Sequence, residues 1–296
     1  MKAASDQQQP SLAAALVQRS RLALRRLTLR RRHALARDRI RAIFDAAAPY
    51  YDREWTRRMR DCTRRMLSRL KVQPGDRCLD LCCGTGYAAH WLSQHSQQPV
   101  IGVDASAEML RVAGDKPGPC EWRRADAEAY LREQEPHSFD VITCAWGLCY
   151  LEPRRVLREL ARLLRPGGRL GLIDDREGTV SEVRSVVEQV FRAQPALLGC
   201  SPRPAHFRSA RALAGRLVRL GLRCTWQRDA LRVFPVASPE LALERLRQTG
   251  ASINAGLLPS AEGCEQACQQ FIVQARKLWP ADVPLIHRYL TVVAQK

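Results

Sequence analysis

Apolar positions follow two rhythms along this chain, and the rhythm changes twice. Between residues 77 and 173, short apolar runs alternate with stretches whose apolar residues recur every three or four positions. The runs at 77–81, 99–104, 121–124, 140–145 and 169–173 read as strands. The stretches at 87–95, 107–114, 127–133 and 154–165 read as helices. Strand and helix repeated in this order predict a parallel sheet with right-handed crossovers and helices on both faces. The segment RPGGRL at 165–170 reads as a sharp turn that ends a helix and enters the fifth strand.

The flanks differ. Residues 10–48 read as helix, with Leu16, Leu22, Leu27 and Ile40 in partial helical spacing and Arg filling much of the rest. Pro49, in APYYDREW, predicts a break, and a second helical run then reaches Lys71. After residue 175 come helices at 179–194 and 207–219, a strand at 222–234, helices at 238–249 and 261–278, and a closing strand at 285–295. Two strands parted by a helical stretch predict an antiparallel sheet edge that carries an insert. The domain division expected is a basic helical arm over 1–40 and one α/β domain over 41–296, with the insert at 236–284 acting as a lid.

Composition adds little to the fold and more to the setting. The chain has 296 residues, 46% of them apolar, which suffices for a core and excludes a disordered chain. Of the net charge of +18, eleven Lys/Arg against three Asp fall in residues 1–45. That +8 in 45 residues, against +10 over the other 251, concentrates charge in the arm, which could attract nucleic acid, anionic lipid or an acidic partner, or simply reflect Arg-rich usage. Eleven scattered cysteines, no secretory leader and no apolar run near the roughly 20 residues of a membrane span predict a reducing cytoplasm. An organellar transit peptide is the minor alternative. No pair of C-x-x-C motifs is present, so no metal site is expected.

The chemistry concentrates in CLDLCCGTGYAAHWL, residues 78–92. In an open α/β sheet, ligands sit at the carboxyl ends of the strands. Gly84 and Gly86 allow close backbone approach and open a helix whose N–H groups face a ligand. Asp80 lies in the first strand, Asp104 ends the second and Asp126 ends the third. Asp104 suits two ribose hydroxyls and Asp126 an adenine amino group. A carboxylate as near the loop as Asp80 opposes a pyrophosphate and suits a cationic amino-acid head.

The segments CLDLCCGTG, VIGVDASAEML, RRADAEAY, FDVITCAWGLCYL and LRPGGRLGLID resemble the successive motifs of class I S-adenosylmethionine-dependent methyltransferases, over roughly residues 40–175. That resemblance implies a Rossmann-like, doubly wound seven-stranded sheet, mostly parallel with an antiparallel last strand. It also implies S-adenosylmethionine as cofactor. Asp80, Cys82, Gly84 and Gly86 would hold its methionine part, and Asp104 its ribose. Ala105 and Met109 would flank the adenine, Asp126 and Ala127 would read its edge, and Cys144 would lie beside the methyl donor. FDAAAPYYDREW resembles the segment before the domain in ubiquinone/menaquinone C-methyltransferases, which makes Tyr50 and Tyr51 candidates to close over the cofactor. ALERLRQTGASINAGL and PLIHRYLTVVAQK resemble the malonyl-carrier carboxyl O-methyltransferase of biotin synthesis.

The two branches ask for different acceptor chemistry. A carboxylate needs only a cation to place it, from Arg53, Arg57, His287 or Arg288. A phenol or carbon acid needs a base, and Tyr51, Asp174, Asp175, His206 and His287 are the candidates. Arg53, Trp146 and Tyr150 are the expected substrate wall. The leading expectation is a methyltransferase for a small molecule or an acceptor on an acidic carrier protein. A nucleic-acid methyltransferase using the basic arm and a non-catalytic cofactor-binding protein are the alternatives.

Overall fold

A computed structural model describes residues 12–30, 33–202, 204–279 and 285–296. The expected alternation is present. β1 (Cys78–Leu81), α4 (Tyr87–Ser96), β2 (Val100–Asp104), α5 (Ala107–Gly114), β3 (Cys120–Arg124), α6 (Ala127–Glu133), β4 (Phe139–Ala145), α7 (Pro153–Leu163) and β5 (Leu164–Asp175) follow in order. Ahead of them lie α1 (Leu12–Arg30), α2 (His33–Tyr51) and α3 (Arg57–Leu67). Behind them come α8 (Ser181–Ala193), β6 (Leu198–Cys200), α9 (Ala210–Val218), β7 (Arg223–Phe234), α10 (Pro239–Thr249), β8 (Leu258–Pro259), α11 (Cys264–Leu278) and β9 (Leu285–Gln295).

Seven strands form one sheet in the order β3-β2-β1-β4-β5-β9-β7. The first five strands pair in parallel, and β9 runs antiparallel to both β5 and β7. From β1 the chain winds one way to β2 and β3 and the other way to β4 and β5. The strand order therefore reverses between β1 and β4, where an open sheet parts to form a crevice. The central strands are buried on both faces, as parallel strands must be. Leu79, Ile142 and Leu172 enter one core with Leu157 of α7 and Leu213 of α9. Cys78, Val141 and Ile173 enter the other with Met66 of α3 and Leu92 of α4. A third core, built from Val183, Leu246 and Phe271, holds the helical insert together.

Three sequence expectations change. Pro49 does not break the helix. It sits inside α2, and the chain widens to a π-helical turn at Asp52–Thr56 before α3 begins. A proline removes one i→i−4 hydrogen bond, and a π turn next to it lets the chain continue without a new cap. The turn at 165–170 belongs to β5, which starts at Leu164 opposite Phe139 and bulges before Arg169 meets Val141. The pair β6–β8 was not expected; strands this short carry no periodicity to read. The boundary proposed at residue 40 falls inside α2.

α3 lies directly on β5. A side chain at Gly171 would collide with Met66 Sδ and press on Leu70. Gly171→Val should lower unfolding free energy by about 1–3 kcal/mol by overpacking this contact. A reduced urea midpoint with an unchanged slope would show it; an unchanged midpoint would contradict the packing described.

Candidate active site

The loop after β1 is held by strain and by hydrogen bonds. Cys82, Gly84 and Gly86 all have positive φ, at 55°, 52° and 82°. Left-handed backbone at a non-glycine residue such as Cys82 persists only where the surroundings hold it. Two contacts do so here. The Cys83 N–H donates to the Val103 carbonyl at 3.0 Å, and the Gly84 N–H donates to Asp104 Oδ2 at 2.9 Å. The other Asp104 oxygen accepts from the Ser106 N–H at 2.9 Å. Asp104 therefore ties the loop after β1 to the loop after β2. Burial raises its pKa, and the hydrogen-bonding N–H groups oppose that rise. A carbon added at Gly84 would meet nothing within 4 Å, so the backbone there faces open space.

Asp80 is 1% exposed. Thr143 Oγ1 donates to its Oδ1 at 2.7 Å, and its Oδ2 has no hydrogen-bond partner among the described residues. Burial pushes its pKa up to about 7. A buried carboxylate with one oxygen unmet is costly unless a donor or cation reaches it.

α2 closes the crevice from above. Arg37, Ile40, Phe44 and Tyr51 lie on one face of the helix–π run. They line a cavity of about 140 Å³ with Asp104, Ala105, Met109, Asp126, Ala127, Trp146 and Tyr150. A smaller chamber of about 50 Å³ continues past Tyr51, Cys82 and Trp146 to Asp80, Trp55 and Thr63. α2 is held down by carboxylates that the sequence reading did not single out. Ser106 Oγ donates to Asp45 at 2.5 Å. Thr85 Oγ1 donates to Asp52 at 2.6 Å, and Lys116 Nζ pairs with the same carboxylate at 2.6 Å. Burial opposes ionisation of Asp52, but Lys116 and Thr85 together hold its pKa below the ordinary value.

The expected residues divide. Asp80, Cys82, Gly84, Asp104, Ala105, Met109, Asp126, Ala127, Tyr51, Trp146 and Tyr150 line the crevice. Tyr50 does not; it is 42% exposed beneath the Arg53 guanidinium, and its neighbour Tyr51 faces inward. Gly86 lies outside the lining and serves packing, since a side chain there would strike Trp122. Cys144 is turned into the core by strand alternation, leaving Ala145 and Trp146 at the crevice. A hydrogen bond to Cys144, reinforced by burial, holds the Cys82 thiol well above its ordinary pKa, so neither thiol is a nucleophile. Asp126 caps α6 through the Ala129 N–H at 3.0 Å and lies 3.5 Å from Arg37. Arg53 and Arg57 are exposed, and Arg53 pairs with Glu54. Arg288 donates to the Gly178 carbonyl. The cations expected to place a carboxylate therefore stand outside the crevice.

Behind Tyr51 and Tyr150 lies a buried polar cluster. The Cys149 N–H donates to Asp174 at 2.6 Å, and burial with the neighbouring Asp175 pushes the Asp174 pKa up to about 8. Thr179 Oγ1 and Asn254 Nδ2 donate to Asp175 at 3.0 and 2.7 Å. His206 Nε2 lies 3.2 Å from Asn254 Oδ1. His287 Nδ1 stands 3.7 Å from Asp175 Oδ1 without a hydrogen bond, and its ring packs edge-on against Trp55 and Phe234. Burial is the main cause holding the Tyr51 and Tyr150 phenols far above their ordinary range, and nearby Asp175 adds to it. Both phenols are therefore hydrogen-bond donors, which removes Tyr51 as a base. Asn254 and Trp55 had no sequence signal beyond their residue type. Among the described residues no cluster of three or more His, Cys, Asp or Glu is placed to hold a metal ion, and no helix is long and apolar enough to cross a membrane.

A methyltransferase-domain family profile matches residues 78–168. A 2-phytyl-1,4-naphtoquinone methyltransferase of Synechococcus elongatus is 37% identical over 154 residues, which cover 47% of this chain and 65% of that protein. A demethylmenaquinone methyltransferase of Renibacterium salmoninarum is 31% identical over 169 residues, covering 54% of this chain and 69% of that protein. The chain belongs to the class I S-adenosylmethionine-dependent methyltransferase family, in the part of it that resembles the quinone C-methyltransferases. Solved structures agree on fold. One from Bacillus halodurans superposes with a TM-score of 0.54 at 16% identity, over 79% of this chain and 97% of that one. The [4+2]-cyclase SpnF superposes with a TM-score of 0.51 at 19% identity, over 80% of each. One fold carries both names, so activity must be argued from the site.

The latch on α2 can be tested alone. Asp52→Ala frees Thr85 and Lys116, and should cost about 1 kcal/mol, since the carboxylate is partly solvated. Amide hydrogen exchange over residues 40–56 should accelerate while the sheet stays protected. Equal exchange in that segment would mean the contact does not hold the helix.

Proposed function

We propose that this chain binds S-adenosylmethionine in the crevice under α2 and methylates a small ring-bearing acceptor of the quinol type. The observation that carries the reading is the buried Asp80 oxygen without a partner, beside a strained loop whose backbone faces open space. An ammonium would meet that oxygen. The Gly84 backbone would lie against the methionine part, and the Asp104 lone pairs left by its two backbone bonds would take ribose hydroxyls. Met109 and Ala105 would flank the adenine. Asp126 gives one oxygen to its cap, so its other oxygen and the Ala127 backbone would read the adenine edge. When bound, the cofactor supplies an electrophilic methyl on its sulfonium. The protein's work is alignment and exclusion of water, and the helix pinned by Asp45 and Asp52 suits both. The insert, packed through α10 against α2, would act as the outer part of that lid.

The acceptor class follows from the walls. Phe44, Tyr51, Trp55, Trp146 and Tyr150 surround the crevice, in edge-to-face contacts. Aromatic faces suit a planar ring. The Tyr51 and Tyr150 hydroxyls can donate to a ring oxygen. Asp175, buried behind both phenols with His287 at 3.7 Å, would take a hydroxyl proton passed on through one of them. The names of the relatives support a quinone-type acceptor. Carboxyl methylation has less support: Arg53, Arg57 and Arg288 lie outside the crevice, and Arg37 and Arg41, which line it, face the carboxylates of Asp126, Glu128 and Asp38.

Calorimetry should detect binding of S-adenosylmethionine, and Asp104→Ala should weaken it by about tenfold or more. Unaltered affinity in that variant would remove the cofactor assignment. The pH dependence has a definite sign. Binding a cation favours ionised Asp80, so below its pKa of about 7 the protein must release a proton to bind. Affinity should then rise with pH, by up to about tenfold per unit, and level off above about 7. Asp80→Asn should flatten the profile; a sloping profile in that variant would place the titrating group elsewhere. With a demethylated naphthoquinol as acceptor, Asp175→Asn should lower turnover about a hundredfold at unchanged cofactor affinity. Full turnover in this variant would exclude Asp175 as the proton acceptor.

A further inference from the structure

α2 has two faces, and the function proposed above uses one. The opposite face, Arg39, Ala42, Ile43 and Ala46, walls a separate cleft of about 290 Å³. The positions are spaced three and four apart, so they form one stripe, turned away from Arg37, Ile40 and Phe44. None of the residues that line this cleft lines the cofactor crevice. The far walls come from Val187 and Phe191 of α8, Leu246 of α10 and Phe271 of α11.

The lining is almost wholly apolar. Folded cores pack to crystal density, and few voids exceed the size of a water molecule. Ordered water needs two to four polar partners, which these walls do not offer. The size lies near the lower end of small-molecule sites. Charge appears only at the rim, where it has one sign. Arg39 is half-buried and Arg247 exposed. Among the described residues neither guanidinium has a carboxylate partner. Apolar walls below two unpaired cations fit a molecule with an alkyl body and an anionic end.

We propose that the cleft behind α2 is a second ligand site, which takes the alkyl chain of a single-chain anionic amphiphile and holds its head at Arg39 and Arg247. The site is distinct from the crevice where the methyl acceptor is expected. Since α2 is a wall of both, its occupant also braces the helix that closes the crevice.

The protein carries its own reporter. Cys264 and Cys268 lie one turn apart on α11, are free thiols and line the cleft. Dodecanoate and dodecyl phosphate serve as probes, with dodecan-1-ol as the uncharged control, all without S-adenosylmethionine or acceptor. Either anionic probe should slow N-ethylmaleimide alkylation of the peptide bearing Cys264 and Cys268, read by mass spectrometry, while Cys224 on β7 reacts at its usual rate. The stronger of the two probes identifies the head group. Ala46→Trp fills the cleft from an exposed position and should weaken all three probes by about tenfold. The pair Arg39→Glu and Arg247→Glu should weaken the anionic probes by a similar factor and leave the alcohol within about threefold. Circular dichroism and S-adenosylmethionine affinity should match the parent in each variant. The proposal is overturned if no probe protects the two cysteines, if Ala46→Trp binds the probes as well as the parent, or if charge reversal leaves the anions unaffected.

Discussion

The site depends on one constraint: a helix laid across the carboxyl ends of a parallel sheet must find polar partners on the loops beneath it. α2 meets that constraint with side chains directed at two successive strand ends. Asp52 reaches Thr85 and Lys116 around the loop after β1, and Asp45 reaches Ser106 after β2. Arg37 adds a looser contact to Asp126 after β3. Ser106 is also the cap of α5, donating to Asp45 while accepting from the Met109 N–H. The same hydroxyl thus fixes both the helix above the crevice and the helix below it. These contacts, with the packing of α10 on α2, hold Phe44 and Tyr51 over the crevice.

Much of this architecture was legible from residue order. The central parallel strands announce themselves because both faces are buried and their apolar runs cannot be mistaken for loops, whereas β3 at the edge, CEWRR, is half exposed. Asp80 and Asp104 were legible because a carboxylate inside or at the end of such a run is expensive unless something meets it. What remained hidden was the partner of each acid. Asp126 lines the crevice and also caps α6, a role that residue order did not reveal; a cap and a ligand carboxylate occupy the same place before a helix. Asp45 and Asp52 looked like ordinary polar positions in a helix, since their partners lie 61 and 33 residues away. Tyr50 and Tyr51 could not be told apart by residue type; Tyr51 lines the crevice, while Tyr50 lies under the Arg53 guanidinium. The π turn that starts three residues after Pro49 was hidden too, because a proline inside a helical pattern reads as a break.

The buried acids set a second condition, on stability. Asp80 and Asp174 have folded pKa values of about 7 and about 8, above those of an unfolded chain. Between the ordinary carboxylate range and those values, the folded state binds more protons than the unfolded one. Stability therefore falls as pH rises through that window, opposite in sign to an acid held by a salt bridge. Near neutral pH the fold carries strain from these groups. A cation against Asp80 reverses its part, so a ligand that fits the crevice also stabilises the protein that closes around it.

Asp174 and Asp175 show how two adjacent residues with the same side chain can be given different work. Asp174 lies among backbone donors and is held largely protonated near pH 7 by burial and by its neighbour. Around Asp175 the donors are side chains from distant elements: Thr179, Asn254 of the insert and, within 3.7 Å, His287 of β9. The difference in surroundings is made in part by the insert itself, which supplies Asn254. Asn254 reaches Asp175 only when the turn after α10 is seated, and Gly250, which opens that turn, packs against Phe44 of α2. The helix over the cofactor crevice and the polar cluster behind the acceptor wall are therefore joined through one ring and one amide. A loss of either contact would disturb both the closing of the crevice and the polar cluster behind it.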